Sequence, residues 1–165
     1  CLTVNAAGTV LFVGTASALY TISLSGTAQC ARLLAGSQSG ETGWKDGGGQ
    51  EARFDTPKGL TVSCDGSLLV ADWGNDRVRR VTLEGAVSTI AGSEWKCEDG
   101  VGAAAGFTGP FGIVSDGSTI YISDEHSHCI RKVAVEDGTV STLCGSKNGK
   151  GLADGQGAAA RFNTP

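Results

Sequence analysis

Asp124, His126, His128 and Cys129 form the densest run of potential metal ligands in the chain. On a strand, His-x-His places both imidazoles on one face. A carboxylate and a thiolate would complete a donor set of the kind zinc takes. A parallel segment earlier in the chain, Asp72 to Arg77, carries no such ligands. Asp124, His126 and His128 are therefore expected to serve the surface or the structure, and no metal or cofactor is assigned.

Asp72 with Arg77 recurs in part as Asp124 with Arg131. Each pair could be an acid beside an orienting cation. Repetition argues against catalysis, because an active site is normally built once, so an ion pair that clamps a loop is expected. The Asp-Gly-x-Gly loops at Asp46, Asp99 and Asp154 suggest calcium but lack the following Asp or Asn and the distant Glu of a calcium loop. They also lack the basic residue and the strand-to-helix setting of a phosphate loop. Tight turns account for them. No Gly-x-Ser-x-Gly or His-Glu-x-x-His signature occurs, and the chain is not expected to be an enzyme.

Six cysteines occur with no Cys-x-x-Cys pair, which argues against a zinc ribbon and leans toward an oxidising compartment. Cys129 opens one strand and Cys144 closes the next, so a disulfide across that hairpin is the expected pair; its Cβ atoms would need to be about 3.5–4.5 Å apart. Cys97, in a loop near the same rim, is the rival partner. Trp44, Trp73 and Trp95 fall in loops. Exposed, they would mark a binding surface; otherwise they would pack over the strands.

These residues need elements to hold them. The chain has 165 residues, enough to bury a core. Its 13 Lys and Arg against 17 Asp and Glu give a net charge of −4. That balance offers no basic footprint for nucleic acid. No apolar stretch approaches the ~20 residues that span a bilayer. With no Met and no leader, the chain reads as processed or as part of a longer polypeptide. Glycine is abundant, at 26 residues, which suits many tight turns.

The chain repeats itself. Asp46-Gly47, Asp99-Gly100 and Asp154-Gly155 recur at spacings of 53 and 55 residues, as do Arg53-Phe54, Gly106-Phe107 and Arg161-Phe162. Thr56-Pro57, Gly109-Pro110 and Thr164-Pro165 follow the same period, and Ala35-Gly36, Ala91-Gly92 and Cys144-Gly145 nearly so. Between these markers lie short β-branched runs joined by Gly-centred turns. Strands are expected at Leu2–Val4, Val10–Val13, Leu19–Leu24 and Cys30–Ala35. Gly59–Val62, Leu68–Ala71, Arg77–Leu83 and Ala86–Ala91 follow, then Gly112-Ile113, Ile120–Asp124, Ile130–Val135 and Val140–Gly145. Four short antiparallel strands per unit make a propeller blade.

Asp154-Gly-x-Gly-x-x-Ala-Arg-Phe-x-x-Pro165, with Gly59–Val62, Leu69–Val81 and Val87–Gly92, resembles the long form of the NHL repeat in all three registers. The resemblance implies an all-β chain: three four-stranded antiparallel blades of a larger β-propeller. The units are expected at 1–57, 58–109 and 110–165, each a blade plus its linker. The first departs most, with Thr15 where the second has Asp72. The linkers 36–57, 93–109 and 146–165 are expected to plug Phe54, Phe107 and Phe162 into gaps between blades.

Propellers close with about 4–8 blades. Further blades from the same longer chain, or a second copy, are expected to complete this one. NHL-type propellers are mostly interaction platforms. The resemblance implies a non-catalytic, extracellular or cell-surface module that binds protein or glycan or assembles with itself. A metal-dependent lyase or hydrolase, with its site on other blades, is the alternative. RNA binding is a weaker one, since Arg77, Arg79, Arg80, Arg131 and Lys132 are the only local basic group. Neither nucleic acid nor membrane insertion is expected.

Overall fold

Three hairpins turn on one device. Asp65 Oδ1 accepts the Ser67 N–H at 3.1 Å, Asp116 Oδ1 the N–H groups of Ser118 and Thr119 at 3.0 and 2.8 Å, and Asp137 Oδ1 that of Thr139 at 2.9 Å. A short carboxylate that captures the backbone two residues on is an Asx turn. Asn5 closes the first hairpin over a wider span, its Oδ1 accepting from the N–H groups of Thr9 and Val10, four and five residues on. These turns fix the register of the strands they join.

The computed structural model describes residues 1–27, 29–147 and 149–165. Ala28, in the expected first unit, and Asn148, in the third linker, lie outside the described residues. The first blade comprises β1 (Leu2–Val4), β2 (Val10–Gly14), β3 (Ala18–Ser23) and β4 (Ala31–Gly36). The second comprises β5 (Gly47–Gly48), β6 (Gly59–Val62), β7 (Leu68–Asp72), β8 (Arg77–Val81) and β9 (Ala86–Ala91). The third comprises β10 (Gly100–Val101), β11 (Pro110–Ser115), β12 (Thr119–Asp124), β13 (Cys129–Ala134) and β14 (Thr139–Gly145).

The chain is all-β, and each blade is an antiparallel meander. The expected strands form, with ends displaced by a few residues. The third strand of blade two stops at Val81, because a turn closed by Gly85 N–H on the Thr82 carbonyl begins there. Blades two and three each gain a fifth strand. The linker's β5 pairs with β9, and β10 with β14, so each linker is stitched to the outer edge of the blade that follows it.

The middle blade is buried on both faces. All five residues of β7, Leu68 to Asp72, are buried. Because side chains alternate, Leu68 and Val70 pack with Phe12, Leu19 and Ala35 of blade one. Leu69 and Ala71 pack with Ile113, Ile120, Ile122 and Val133 of blade three. A strand covered on both sides reads as a continuous apolar run, as Leu-Leu-Val-Ala does. Phe54 and Phe107 sit fully buried in the first and second of these seams, and Phe162 is half-buried.

Candidate functional site

Two fully buried arginines hold the linkers. Arg79 Nη1 donates to Asp72 Oδ2 at 2.7 Å and its Nη2 to Asp46 Oδ1 at 2.7 Å. It also reaches the carbonyls of Lys45 and Arg53, and its guanidinium lies 5.2 Å from the Phe54 ring centre. Arg131 repeats this on Asp124, Asp99, Glu98, Gly106 and Phe107. The cation was expected at Arg77; it is Arg79, two residues further along the same face of β8, where its guanidinium reaches Asp72 and Asp46 together. Arg77 instead covers the Trp44 ring at 4.7 Å. Burial raises the Asp72 carboxyl to about 6, opposed by donors from Asn75, Asp55 N–H and Arg79. Burial raises Asp124 too, against Ser127, Thr108 N–H and Arg131.

These clamps absorb the calcium-like loops at Asp46 and Asp99, which also accept hydrogen bonds from Thr89 and Thr142. They also disperse the basic group. Arg79 and Arg131 are inside ion pairs, and Arg80 binds Asp65.

The rim where blades two and three meet carries an aromatic cluster. The β7–β8 connection supplies Trp73, the β12–β13 connection Glu125 and His126, and the second linker Trp95. Trp73 Nε1 donates to Glu125 Oε2 at 2.9 Å. His126 lies 6.0 Å from the Trp73 ring centre and 5.1 Å from that of Trp95. Lys58 Nζ stands 5.6 Å over Trp73 and 5.9 Å over Phe111. Backbone pins the cluster: the N–H groups of Glu125 and His126 donate to the carbonyls of Gly109 and Thr108, both at 3.0 Å. Gly109 has φ +85°, and a Cβ there would lie 2.9 Å from both His126 Cδ2 and Trp73 Nε1. Only glycine lets the two rings come together. Asp76, raised by burial, accepts the Gly109 N–H at 3.0 Å.

Trp95 is 61% exposed and Phe111 41%, while Trp73 is half-buried. Broad π faces edged by an ammonium and a carboxylate suit a ligand with a flat apolar face and polar edges. Trp44, also exposed, stands apart with Arg77. Lys58, Phe111 and Glu125 were missed by sequence reasoning. Their only signal was position, at the strand ends flanking Trp73 and His126.

The metal-like run comes apart. Asp124 is inside the Arg131 clamp and His126 is among the tryptophans. His128, at φ +56°, accepts the Thr164 N–H on Nδ1 at 3.2 Å. Among the described residues no group of three His, Cys, Asp or Glu is placed to hold a metal.

The cysteines stand as free thiols. Cys129 pairs across the hairpin with Gly145, and Cys144 with Ile130. Cys129 and Cys144 are thus one position out of register and face opposite sides of the sheet, which corrects the expected disulfide. Cys97 and Cys129 instead line one cleft.

The NHL repeat model matches residues 54–80, which hold Phe54, Asp72, Trp73 and Arg79. That stretch is an NHL repeat. NHL repeat-containing protein 2 from Gallus gallus is 33% identical over 91 residues, 54% of this chain but 12% of that protein. The chain thus spans about a tenth of such a relative. A Bacteroides thetaiotaomicron structural genomics protein of unknown function superposes with a TM-score of 0.79 at 23% identity, over 99% of this chain and 40% of that one. An auxiliary nutrient binding protein of the same organism gives 0.70 at 22%, over 86% and 36%. A putative phosphatase gives 0.71 at 22%, over 86% and 34%. At these identities the likeness carries the propeller fold alone. Binding and chemistry both occur on it by name, so the NHL blades here must be read from their own side chains.

Proposed function

We propose that these NHL blades form a non-catalytic platform that binds protein or glycan at the rim between blades two and three. One observation carries this reading. Four separate segments bring Trp73, Trp95, His126 and Phe111 together around Lys58 and Glu125, with Trp95 left largely open. Aromatic residues are the usual energetic centre of binding surfaces. Among the described residues no serine, threonine or cysteine side chain hydrogen-bonds His126, so the cluster offers no activated nucleophile of the kind acyl transfer needs. An extracellular or cell-surface setting belongs to this reading and rests on the six cysteines. Among the described residues no helix is long and apolar enough to cross a membrane.

In the same reading, further blades of a longer chain cover the outer faces. Asp154 and Phe162 stand where Asp46 and Phe54 meet the next blade, and Asp154 pairs with no arginine among the described residues. Blade one offers Thr15 and Tyr20 at the places of Asp72 and Arg79, so a second copy would not supply that charge.

The test is a panel of immobilised oligosaccharides and extracellular-matrix proteins probed with the intact protein and its Trp95→Ala variant. A panel member held by the wild type and released by the variant supports the reading. Equal retention overturns it.

A further inference from the structure

Blades two and three repeat the buried clamp between linker and strand, and they differ at a couple of residues beside it. The equivalence is fixed by hydrogen bonds. The Lys45 carbonyl accepts from Arg79 Nη2 at 3.1 Å, as the Glu98 carbonyl does from Arg131 Nη2 at 2.9 Å. Trp44, just before Lys45, therefore corresponds to Cys97, just before Glu98. On the strands, Arg77 pairs with Asp72 and Cys129 with Asp124, so Arg77 corresponds to Cys129. In blade two this couple is joined non-covalently, the Arg77 guanidinium 4.7 Å over the Trp44 ring. In blade three both members are cysteine. They line one open cleft with Glu98, Asp99, Thr142, Gly145, Ser146 and Lys147.

We propose that Cys97 and Cys129 form a disulfide that clasps the second linker to the third strand of blade three. It would do covalently what Arg77 and Trp44 do in the blade before. Arg131 Nη1 donates to Cys97 Sγ at 3.5 Å and tethers that sulfur beside the clamp. Cys129 is buried, donates to the Ser127 carbonyl at 3.2 Å, and has its thiol pushed up to about 11, chiefly by burial. Cys97 is more open. The roles follow from exposure, because the thiolate is the nucleophile and access sets which one reacts.

Cys97 thiolate attacks a small external disulfide such as oxidised glutathione, forming a mixed disulfide and releasing one glutathione thiolate. Cys129 then loses its proton and attacks Cys97 Sγ, expelling the second. Two protein thiols are oxidised and one external disulfide is reduced to two thiols. The bond closes a loop of about 30 residues, which restricts the unfolded chain.

The intact protein is equilibrated in an excess of oxidised over reduced glutathione, alkylated, and digested without reduction for mass spectrometry. A peptide joining Cys97 to Cys129 is expected, together with a thermal midpoint roughly 5–10 °C above the reduced form. Cys97→Ser removes both effects, and Cys144→Ser leaves both. Cys129 joined to Cys144, or Cys97 and Cys129 both alkylated in excess oxidant, overturns the proposal. Cys97→Ser alters the more open of the two positions, so the comparison does not depend on disturbing the buried Cys129.

Discussion

Trp73 reaches across the seam between two blades to donate its indole N–H to Glu125, at 2.9 Å. Both residues sit at the connection between the second and third strands of their own blades. That connection is where each blade is clamped to its linker by a buried Asp–Arg pair. The aromatic rim is thus a surface built directly on the most constrained part of the repeat.

The buried phenylalanines are expected to carry most of the seam energy. Phe107→Ala should cost about 3–5 kcal/mol in denaturant unfolding, and Phe54→Ala a similar amount. Phe162→Ala, at a half-buried position, should cost clearly less. Equal losses at all three would mean that the linkers do not pack as described.

Breaking the clamp should be worse than replacing it. Asp72→Ala leaves Arg79 buried with one carboxylate fewer, and about 3–5 kcal/mol is expected to be lost. Arg79→Lys keeps a charge but loses the fork that spans Asp72 and Asp46, so it should also destabilise. A double change of Asp72 and Arg79 to apolar residues of similar volume should recover part of the loss. A double-mutant cycle measures this coupling; strictly additive losses would show that the pair does not act as a unit.

Acid should weaken the hairpin turns. The Ser67 hydroxyl pulls Asp65 down to about 2 from an ordinary 3.8, with the Ser67 N–H and Arg80 adding to the pull. A carboxyl lowered in the fold contributes stability above its unfolded value. That contribution is lost as pH falls from about 4 through about 2. Asp65→Asn still accepts the Ser67 N–H but does not titrate. Its stability, followed by thermal unfolding between pH 7 and pH 2, should fall less steeply than the wild type's.

The repeat made the blades legible, because Asp46, Asp99 and Asp154 mark a period that only one architecture fits. The same alignment could have exposed the clamp. Arg79 and Arg131 recur 52 residues apart, nearly the spacing of Asp46 and Asp99, whereas Arg77 becomes Cys129 in the next unit. Arg77 and Arg79 share one face of β8, and the linker decides between them: Trp44 takes Arg77, while Asp46 and the Lys45 and Arg53 carbonyls hold Arg79 on the acid. The fifth strands were hidden because Gly47-Gly48 and Gly100-Val101 have no hydrophobic pattern and are held only by backbone pairing. The Cys129–Cys144 pairing failed on a shift of one residue, which reverses the face of a strand side chain. The aromatic rim was half visible. Trp73 and Trp95 stood out in loops, but their meeting over His126 depends on how adjacent blades dock.

The rim itself is tested most directly by binding. For any oligosaccharide or protein that the intact protein retains, the dissociation constant is measured for the wild type, Trp95→Ala and Gly109→Ala. Gly109→Ala forces Trp73 and His126 apart without removing either ring. Both variants are expected to bind at least about tenfold more weakly, the loss of one well-placed aromatic contact, with Trp95→Ala keeping the wild-type unfolding midpoint. Wild-type affinity in both variants would contradict a binding site on this rim.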